Sequence, residues 1–206
     1  MPATLVTLPV PPLLAITDRA QAKCPLPELA RLLCEGGCRW ISLREKDLDP
    51  EARLELLEEL LLATRDHRAI VTVHGDLDAA AECDGVHLPA GGDVEAARRR
   101  LGRRALIGLS CHTGDEVRRA AAAGADYVTL SPIFLTDSKP GYGPALGVAA
   151  LEAVRHAGIA VLALGGVEPD TVSPCRRAGA AGVAVMGRLM RTARPAELAR
   201  ALIANL

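Results

Sequence analysis

The chain has 206 residues, half of them apolar, with 24 lysine and arginine residues against 25 aspartate and glutamate residues. That balance is typical of one folded domain and excludes a disordered chain. The formal net charge is −1 and only four residues are aromatic, so the chain lacks the basic field and the stacking rings that nucleic acids require. We therefore expect no nucleic-acid partner.

The beginning of the chain has no feature of a targeting or membrane-spanning segment. No positively charged stretch precedes its apolar residues, and Pro9, Pro11 and Pro12 interrupt them. The six cysteines form no Cys-x-x-Cys pair and have no histidine at metal-ligand spacing. The sequence therefore predicts a cytoplasmic protein with no membrane partner and with buried thiols.

Eight short apolar runs are distributed along the whole chain. They are almost continuously hydrophobic rather than alternating, which is typical of parallel strands covered on both faces, and most intervals between them carry helical patterns. The predicted strands are Leu13–Thr17, Trp40–Leu43, Ala69–Val73, Gly85–Leu88, Leu106–Leu109, Tyr127–Leu130, Ala160–Leu164 and Gly182–Met186.

The helical intervals have recognisable starts and ends. A proline or an acidic residue in the first turn marks starts at residues 49–51, 113–116, 168–170 and 194–195. Glycine-containing segments at 34–37, 123–126 and 178–181 each close a helix directly before a strand, which indicates a repeated βα unit.

This pattern predicts an α/β fold, a single (β/α)8 TIM barrel formed by one domain over residues 1–206. Eight units leave about 26 residues each, which is near the lower limit for such a barrel, so we expect short loops and little helix after Val73. A doubly wound open sheet is the alternative, but no Gly-x-Gly-x-x-Gly follows the first strand.

In such a barrel, the residues directly after each strand form the mouth. The chain has 21 arginines but only three lysines, and two of these, Lys46 and Lys139, follow predicted strands. Strand alternation would place Arg44 and Lys46 on one side and Glu45 on the other. We interpret the two cations as ligands for phosphate or diphosphate oxygens, with chance placement of solvated lysines as the alternative.

The later loops carry further candidates for anion binding. The segment 131–144 after strand 6 combines hydroxyl groups, Lys139 and two glycines. Gly165-Gly166 after strand 7 and Gly187 after strand 8 stand where many barrels hold a phosphate through backbone N–H groups. A plain turn is the alternative for the glycine pair.

Three histidines fall near predicted strand ends. His74 ends strand 3 and would project into the mouth, so it is a candidate for proton transfer. His87 within strand 4 and His112 after strand 5 are equally well explained as hydrogen-bonded structural residues.

Taken in order, several elements resemble the thiamine phosphate synthase/TenI superfamily over nearly the entire chain. They include Arg44-Glu45-Lys46, the segments 84–88 and 131–139, Gly165-Gly166 and the segment 182–186. The resemblance implies a (β/α)8 barrel, a role in thiamin biosynthesis and a small phosphorylated thiazole as ligand, with a homodimer as a family-level expectation. It also implies diphosphate or substrate contacts from Arg44, Lys46, Ser110, Thr136, Ser138 and Lys139, and a thiazole-phosphate site at Gly165, Gly166, Val185, Met186 and Gly187.

The superfamily contains a Mg²⁺-dependent synthase and a metal-free tautomerase of the TenI branch. Synthases typically have carboxylates after strands 3 and 4, whereas this chain has His74-Gly75 and the segment 89–92 there. Asp76 or Asp93 would need a register shift to replace them. The chain therefore resembles the TenI branch more closely, with no metal and no cofactor expected, and Mg²⁺ only if it is a synthase.

The histidine expected of the tautomerase is replaced by Pro132, so we assign proton transfer to His74. The main hypothesis is a TenI-like thiazole tautomerase. The alternative is a divergent thiamine phosphate synthase that joins hydroxymethylpyrimidine diphosphate to thiazole phosphate and releases diphosphate. A second alternative is a non-catalytic barrel that binds a thiazole or thiamin phosphate.

Overall fold

The computed structural model describes residues 7–136 and 144–206. Eight parallel strands, β1 to β8, close into a barrel in which each strand pairs with its neighbours in the sequence. The predicted (β/α)8 barrel is confirmed, and each predicted strand is found with its ends shifted by at most two residues. The strands are β1 Leu13–Ile16, β2 Trp40–Leu43, β3 Ile70–His74, β4 Gly85–Leu88, β5 Leu106–Cys111, β6 Tyr127–Leu130, β7 Ala160–Leu164 and β8 Gly182–Val185.

The helices of the described segments surround the barrel. Asp49 caps one by accepting a hydrogen bond from Ala52 N, and Thr113 forms a capping box with Glu116 at another, which confirms these two predicted starts. The helix after β3 has only four residues, as expected. The helices are α1 Leu26–Glu35, α2 Pro50–Thr64, α3 Leu77–Ala80, α4 Val94–Leu101, α5 Gly114–Ala122, α6 Ala149–Val154, α7 Pro169–Arg177, α8 Gly187–Arg191 and α9 Pro195–Ile203.

The strands are buried on both faces, which explains their continuous hydrophobic runs. Their outer faces pack against the helices in the larger core, and their inner faces form a smaller core inside the barrel. In that inner core the Trp40 and Tyr127 rings meet edge to face, with centroids 4.6 Å apart. Complete burial of one large apolar side chain contributes about 1.5–3 kcal/mol, so these two cores supply most of the driving force for closing the barrel.

Towards the carboxyl ends of the strands, the inner face becomes polar. In the ladder, Ser42 pairs with Thr72, and Ser110 pairs with Thr129. Because side chains at paired positions share a face, these hydroxyl groups lie at similar heights inside the barrel. This polar layer forms the floor of the candidate site.

The described cysteines behave as expected of ordinary core residues. Four of the six thiols are buried, Cys24 and Cys83 are half-buried, and all are reduced. Burial raises the pKa of Cys38 to about 11, so this thiol is unreactive. Within residues 7–136 and 144–206, no helix has the length and apolar character needed to cross a membrane.

Candidate functional site

A cavity of about 600 Å³ opens at the carboxyl ends of the strands. Ser138 and Lys139 lie outside the described residues, so their positions stay predictions. Every other residue that the sequence assigned to the site lies on the cavity wall: Arg44, Lys46, His74, Ser110, Thr136, Gly165, Gly166, Val185, Met186 and Gly187.

Arg44 and Lys46 project into the cavity, whereas Glu45 between them points away from it. The alternation of a strand therefore continues beyond the end of β2, as the sequence predicts. Arg44 Nη1 lies 3.9 Å from Met186 Sδ, so the guanidinium reaches past β1 to the end of β8. Both cations line the cavity. Desolvation and the positive charge of Arg44 lower the pKa of Lys46.

Glu45 anchors the turn that carries the two cations. Its carboxylate accepts a hydrogen bond from Thr17 Oγ1 at 2.7 Å and from Arg19 Nη1 at 3.2 Å. Thr17 Oγ1 in turn accepts the backbone N–H of Arg44 at 2.8 Å. The carboxylate is thus satisfied at the end of β1 and holds Arg44 and Lys46 in place without occupying the cavity.

Gly165 and Gly166 follow β7 with φ of +97° and +61°. A Cβ atom on Gly166 would lie 2.2 Å from the carbonyl oxygen of Leu135. The backbone N–H of Phe134 donates to the carbonyl of Gly165 at 3.0 Å. The glycine pair is therefore required for close packing of the loop after β6 against the loop after β7, in addition to its place on the cavity wall.

The cavity wall also includes the start of α8. The first N–H groups of this helix, those of Gly187 and Arg188, have no intrahelical acceptor, so they are suited to an anionic ligand. Arg188 Nε lies 3.0 Å from the Glu168 carboxylate, and both side chains line the rim. The wall thus combines cationic side chains from β2 with backbone donors after β8.

His87 is held inside the barrel and is not a proton carrier at neutral pH. Its Nδ1 lies 3.0 Å from Tyr127 Oη, and its Nε2 lies 3.0 Å from Ser110 Oγ. Burial, together with the charges of His74 and Arg44, lowers the pKa of His87 to about 3. The imidazole is therefore neutral, and the structural role proposed for it from the sequence is the better one.

The other two histidines also line the cavity and are less deeply buried than His87. His74 ends β3, and its ring centroid lies 5.6 Å from that of His87. His112 Nδ1 lies 2.9 Å from the carbonyl oxygen of Ser131, which can only accept, so Nδ1 carries the proton. Both rings are within reach of a molecule bound in the cavity.

Asp76 and Asp93, the two aspartates considered as metal ligands, are not placed to bind a metal ion in the cavity. Asp76 caps α3 by accepting the N–H of Ala79 at 3.0 Å, and it forms an ion pair with Arg53. Burial opposes its ionisation, but these two partners hold its pKa below the ordinary value. Asp93 caps α4 by accepting the N–H of Ala96 at 2.8 Å.

Magnesium requires carboxylate oxygens that are available in octahedral geometry, whereas both these carboxylates are used for helix capping and neither lines the cavity. Among the residues that the structure describes, no group of three or more histidine, cysteine, aspartate or glutamate side chains is placed to hold a metal ion.

Two residues, Ser42 at the cavity floor and Tyr127 buried beneath it, were not singled out from the sequence. Ser42 is 1% exposed, and no described residue hydrogen-bonds to its hydroxyl. Tyr127 supplies the phenol that holds His87. Alternation back from Arg44 would have found Ser42, which lies two residues earlier on the same face. No local signal would have found the pairing of Tyr127 with His87, because 40 residues separate them.

The fold and the site define a class, a (β/α)8 barrel whose mouth combines cationic side chains with backbone donors. A family model described as thiamine monophosphate synthase matches residues 13–189. The chain belongs to this family.

Individual relatives agree with the family match. The chain is 40% identical to the thiamine-phosphate synthase of Methanoregula boonei over 167 residues, which are 79% of this chain and 77% of that protein. It is 39% identical over 181 residues to a thiamine biosynthesis bifunctional protein of Symbiobacterium thermophilum, covering 86% of this chain but 38% of that longer protein. The solved thiamine phosphate pyrophosphorylase of Pyrococcus furiosus superposes with a TM-score of 0.82 at 28% identity, covering 92% of each chain.

These names favour the synthase alternative over the tautomerase that the sequence pattern placed first. The tautomerase hypothesis depended on the missing carboxylates after β3 and β4. Over the whole barrel, however, the chain is similar to proteins named thiamine-phosphate synthase and thiamine phosphate pyrophosphorylase.

Proposed function

We propose that this protein is a thiamine-phosphate synthase that joins hydroxymethylpyrimidine diphosphate to thiazole phosphate. The observation that carries the proposal is the presence in one cavity of Arg44 and Lys46 with the backbone donors after β8. The reaction brings together two anionic substrates, and this wall offers donors to both. The names of the relatives support the same reaction.

The chemistry is a substitution at the methylene carbon of the pyrimidine. The bond between this carbon and the diphosphate oxygen breaks, and the diphosphate leaves with the electron pair. The lone pair of the thiazole ring nitrogen forms the new carbon–nitrogen bond, so no proton transfer to or from that nitrogen is needed. The protein must hold the two rings together and stabilise the charge that develops on the leaving group.

Arg44 and Lys46 are suited to the leaving diphosphate. Fixed cations on a partly desolvated wall interact more strongly with developing negative charge than solvated ones would. Thr136, which lines the cavity after β6, can add a hydroxyl donor. The backbone N–H groups of Gly187 and Arg188 would hold the phosphate of the thiazole. Because Asp76 and Asp93 do not fit a magnesium site, no step is assigned to a metal.

The test is direct formation of thiamin phosphate from the two substrates, measured by fluorescence after oxidation to thiochrome phosphate. Arg44→Met and Lys46→Met should each lower kcat/KM about 100-fold, because each removes one charge–charge contact in the transition state. Lys23→Met is the matched control, since Lys23 is an exposed lysine away from the cavity wall. Binding of thiazole phosphate without product formation would contradict the proposal and favour a non-catalytic barrel.

A tautomerase remains the second candidate because His74 lies on the cavity wall and the aspartates near it are used elsewhere. Aromatisation of a thiazole carboxylate phosphate needs a group that removes one proton and delivers another. Wild-type protein and His74→Asn should be compared in that reaction without added metal. Turnover that requires His74, with no thiamin phosphate formed in the first assay, would favour this candidate over the synthase.

A further inference from the structure

Tyr127, His87 and Ser110 form a continuous hydrogen-bonded line from the barrel interior to the cavity. The two links, Tyr127 Oη to His87 Nδ1 and His87 Nε2 to Ser110 Oγ, are each 3.0 Å long. Thr129 Oγ1 also contacts His87 Nε2, but at 3.4 Å it is farther from this nitrogen than Ser110 is. Tyr127 is 0% exposed and His87 3% exposed, while Ser110 lies on the cavity wall. The line therefore connects a fully buried phenol with a hydroxyl that a ligand can reach.

The absence of a side chain at Gly108 leaves the space that the Tyr127 ring occupies in this line. A Cβ atom on Gly108 would lie 2.1 Å from Tyr127 Cζ and 2.5 Å from its oxygen. Gly108 pairs with His87 on β4 and with Tyr127 on β6, so the phenol passes over a strand position that has no side chain. Any other residue at 108 would push the ring away from His87.

The line has two possible proton arrangements, because a neutral imidazole donates from one nitrogen and accepts at the other. In the first, Tyr127 donates to Nδ1, Nε2–H donates to Ser110, and the serine proton is available to the cavity. In the second, Ser110 donates to Nε2 and presents only oxygen lone pairs to the cavity. His87 does not carry a proton on both nitrogens near neutral pH, because burial and the charges of His74 and Arg44 lower its pKa to about 3. One of the two neutral tautomers must therefore be present.

An anion in the cavity discriminates between these arrangements. A diphosphate oxygen needs a donor, and lone pairs from Ser110 would repel it. Tyr127 is also the better donor at the buried end, because a phenol is more acidic than an aliphatic hydroxyl and imidazole nitrogen is a strong acceptor. Both ends of the line therefore favour the first arrangement.

We propose that His87 is a positioning residue whose Nε2–H tautomer, held by Tyr127, turns the Ser110 hydroxyl outward to donate to the diphosphate. This inference rests on the proposed function only in taking diphosphate as the anion. It assigns a role to two buried residues that act through the Ser110 hydroxyl.

The first test is calorimetric binding of inorganic diphosphate to the full-length protein. Ser110→Ala should weaken binding about 10-fold, and Tyr127→Phe about 5-fold, because the phenol acts through the serine. The double variant should bind no more weakly than Ser110→Ala alone. Leu162→Val, which alters packing in the same inner core without removing a polar atom, should leave the affinity unchanged. Additive losses, or no binding of diphosphate by the wild type, would overturn the proposal.

The second test needs no variant and therefore does not depend on whether Tyr127→Phe folds. Nitrogen-15 NMR of the wild type with inorganic diphosphate should show Nε2 of His87 protonated and Nδ1 unprotonated, unchanged from pH 5 to 8. A protonated Nδ1 would overturn the inference. Neither measurement uses turnover, so absence of thiamin phosphate synthesis would refute the proposed function while these results still decide the role of His87.

Discussion

Thr17 Oγ1 lies 2.7 Å from Glu45 Oε1, so a hydroxyl at the end of β1 holds the carboxylate that separates Arg44 from Lys46. This bond crosses from one strand to the next and fixes the turn that presents both cations to the cavity. A buried carboxylate depends on such donors, because burying an unpaired charge is costly.

Thr17→Val should therefore lower the free energy of unfolding by about 1.5–3 kcal/mol, the range for a hydrogen bond to a charged group. It should also raise KM for the diphosphate substrate, since the N–H of Arg44 loses its acceptor. Asp47→Asn is the control: Asp47 pairs with Arg19 at an exposed position, and this change should leave both quantities unaltered. Equal effects from the two substitutions would contradict the assigned role of Thr17.

Gly166→Ala should destabilise the protein by more than the strain of its positive φ alone. A positive φ costs a non-glycine residue about 1–2 kcal/mol, and the collision of a Cβ with the carbonyl of Leu135 adds to it. Gly91→Ala is matched to it, because Gly91 has φ of +78° but no atom within 4 Å of the added Cβ. Chemical denaturation measures both variants; similar losses would show that the packing at Gly166 is unimportant.

Ser42→Ala is expected to weaken substrate binding without weakening the fold. The Ser42 hydroxyl is buried at the cavity floor and no described residue satisfies it, so we expect a molecule bound in the cavity to be its partner. Removing it should cost about 1–3 kcal/mol of binding energy if a substrate atom is that partner. Thermal unfolding should show a Tm equal to or above that of the wild type. A lower Tm with normal binding would place the hydroxyl in the folded structure instead.

Asp76→Ala should affect stability rather than activity. The substitution removes a helix cap and leaves Arg53 without its carboxylate, so we expect a loss of about 1–3 kcal/mol at pH 7. The pKa of Asp76 is lowered by folding, so its contribution is present above the ordinary pKa of about 4 and is lost as the pH falls further. The difference between wild type and variant should accordingly shrink in acid denaturation.

Asp93→Ala is the companion variant, which removes a cap alone and should cost about 1 kcal/mol. Synthase turnover should be measured once with Mg²⁺ and once with a chelator. Under each condition, both aspartate variants should turn over at the wild-type rate. A Mg²⁺-dependent rate that disappears in either variant would show that its carboxylate leaves the cap to hold the metal.

The sequence alone determined the parts of this protein that depend on short-range periodicity. Continuous apolar runs, helix caps such as Asp49 and glycine-terminated helices identified eight βα units, and the order of the units implies the barrel. The same local rule placed Arg44 and Lys46 on the cavity side and Glu45 on the other, because alternation requires no knowledge of distant residues.

Tertiary structure decided the interactions between residues far apart in the chain. Asp76 is paired with Arg53, the glycine pair after β7 accommodates Leu135, and Tyr127 reaches His87 over Gly108. Each of these depends on which strands and loops become neighbours when the barrel closes, and on the space left between them. A pattern of residue types along one chain shows neither which elements become neighbours nor how much space lies between them. These contacts therefore appear only in the folded protein.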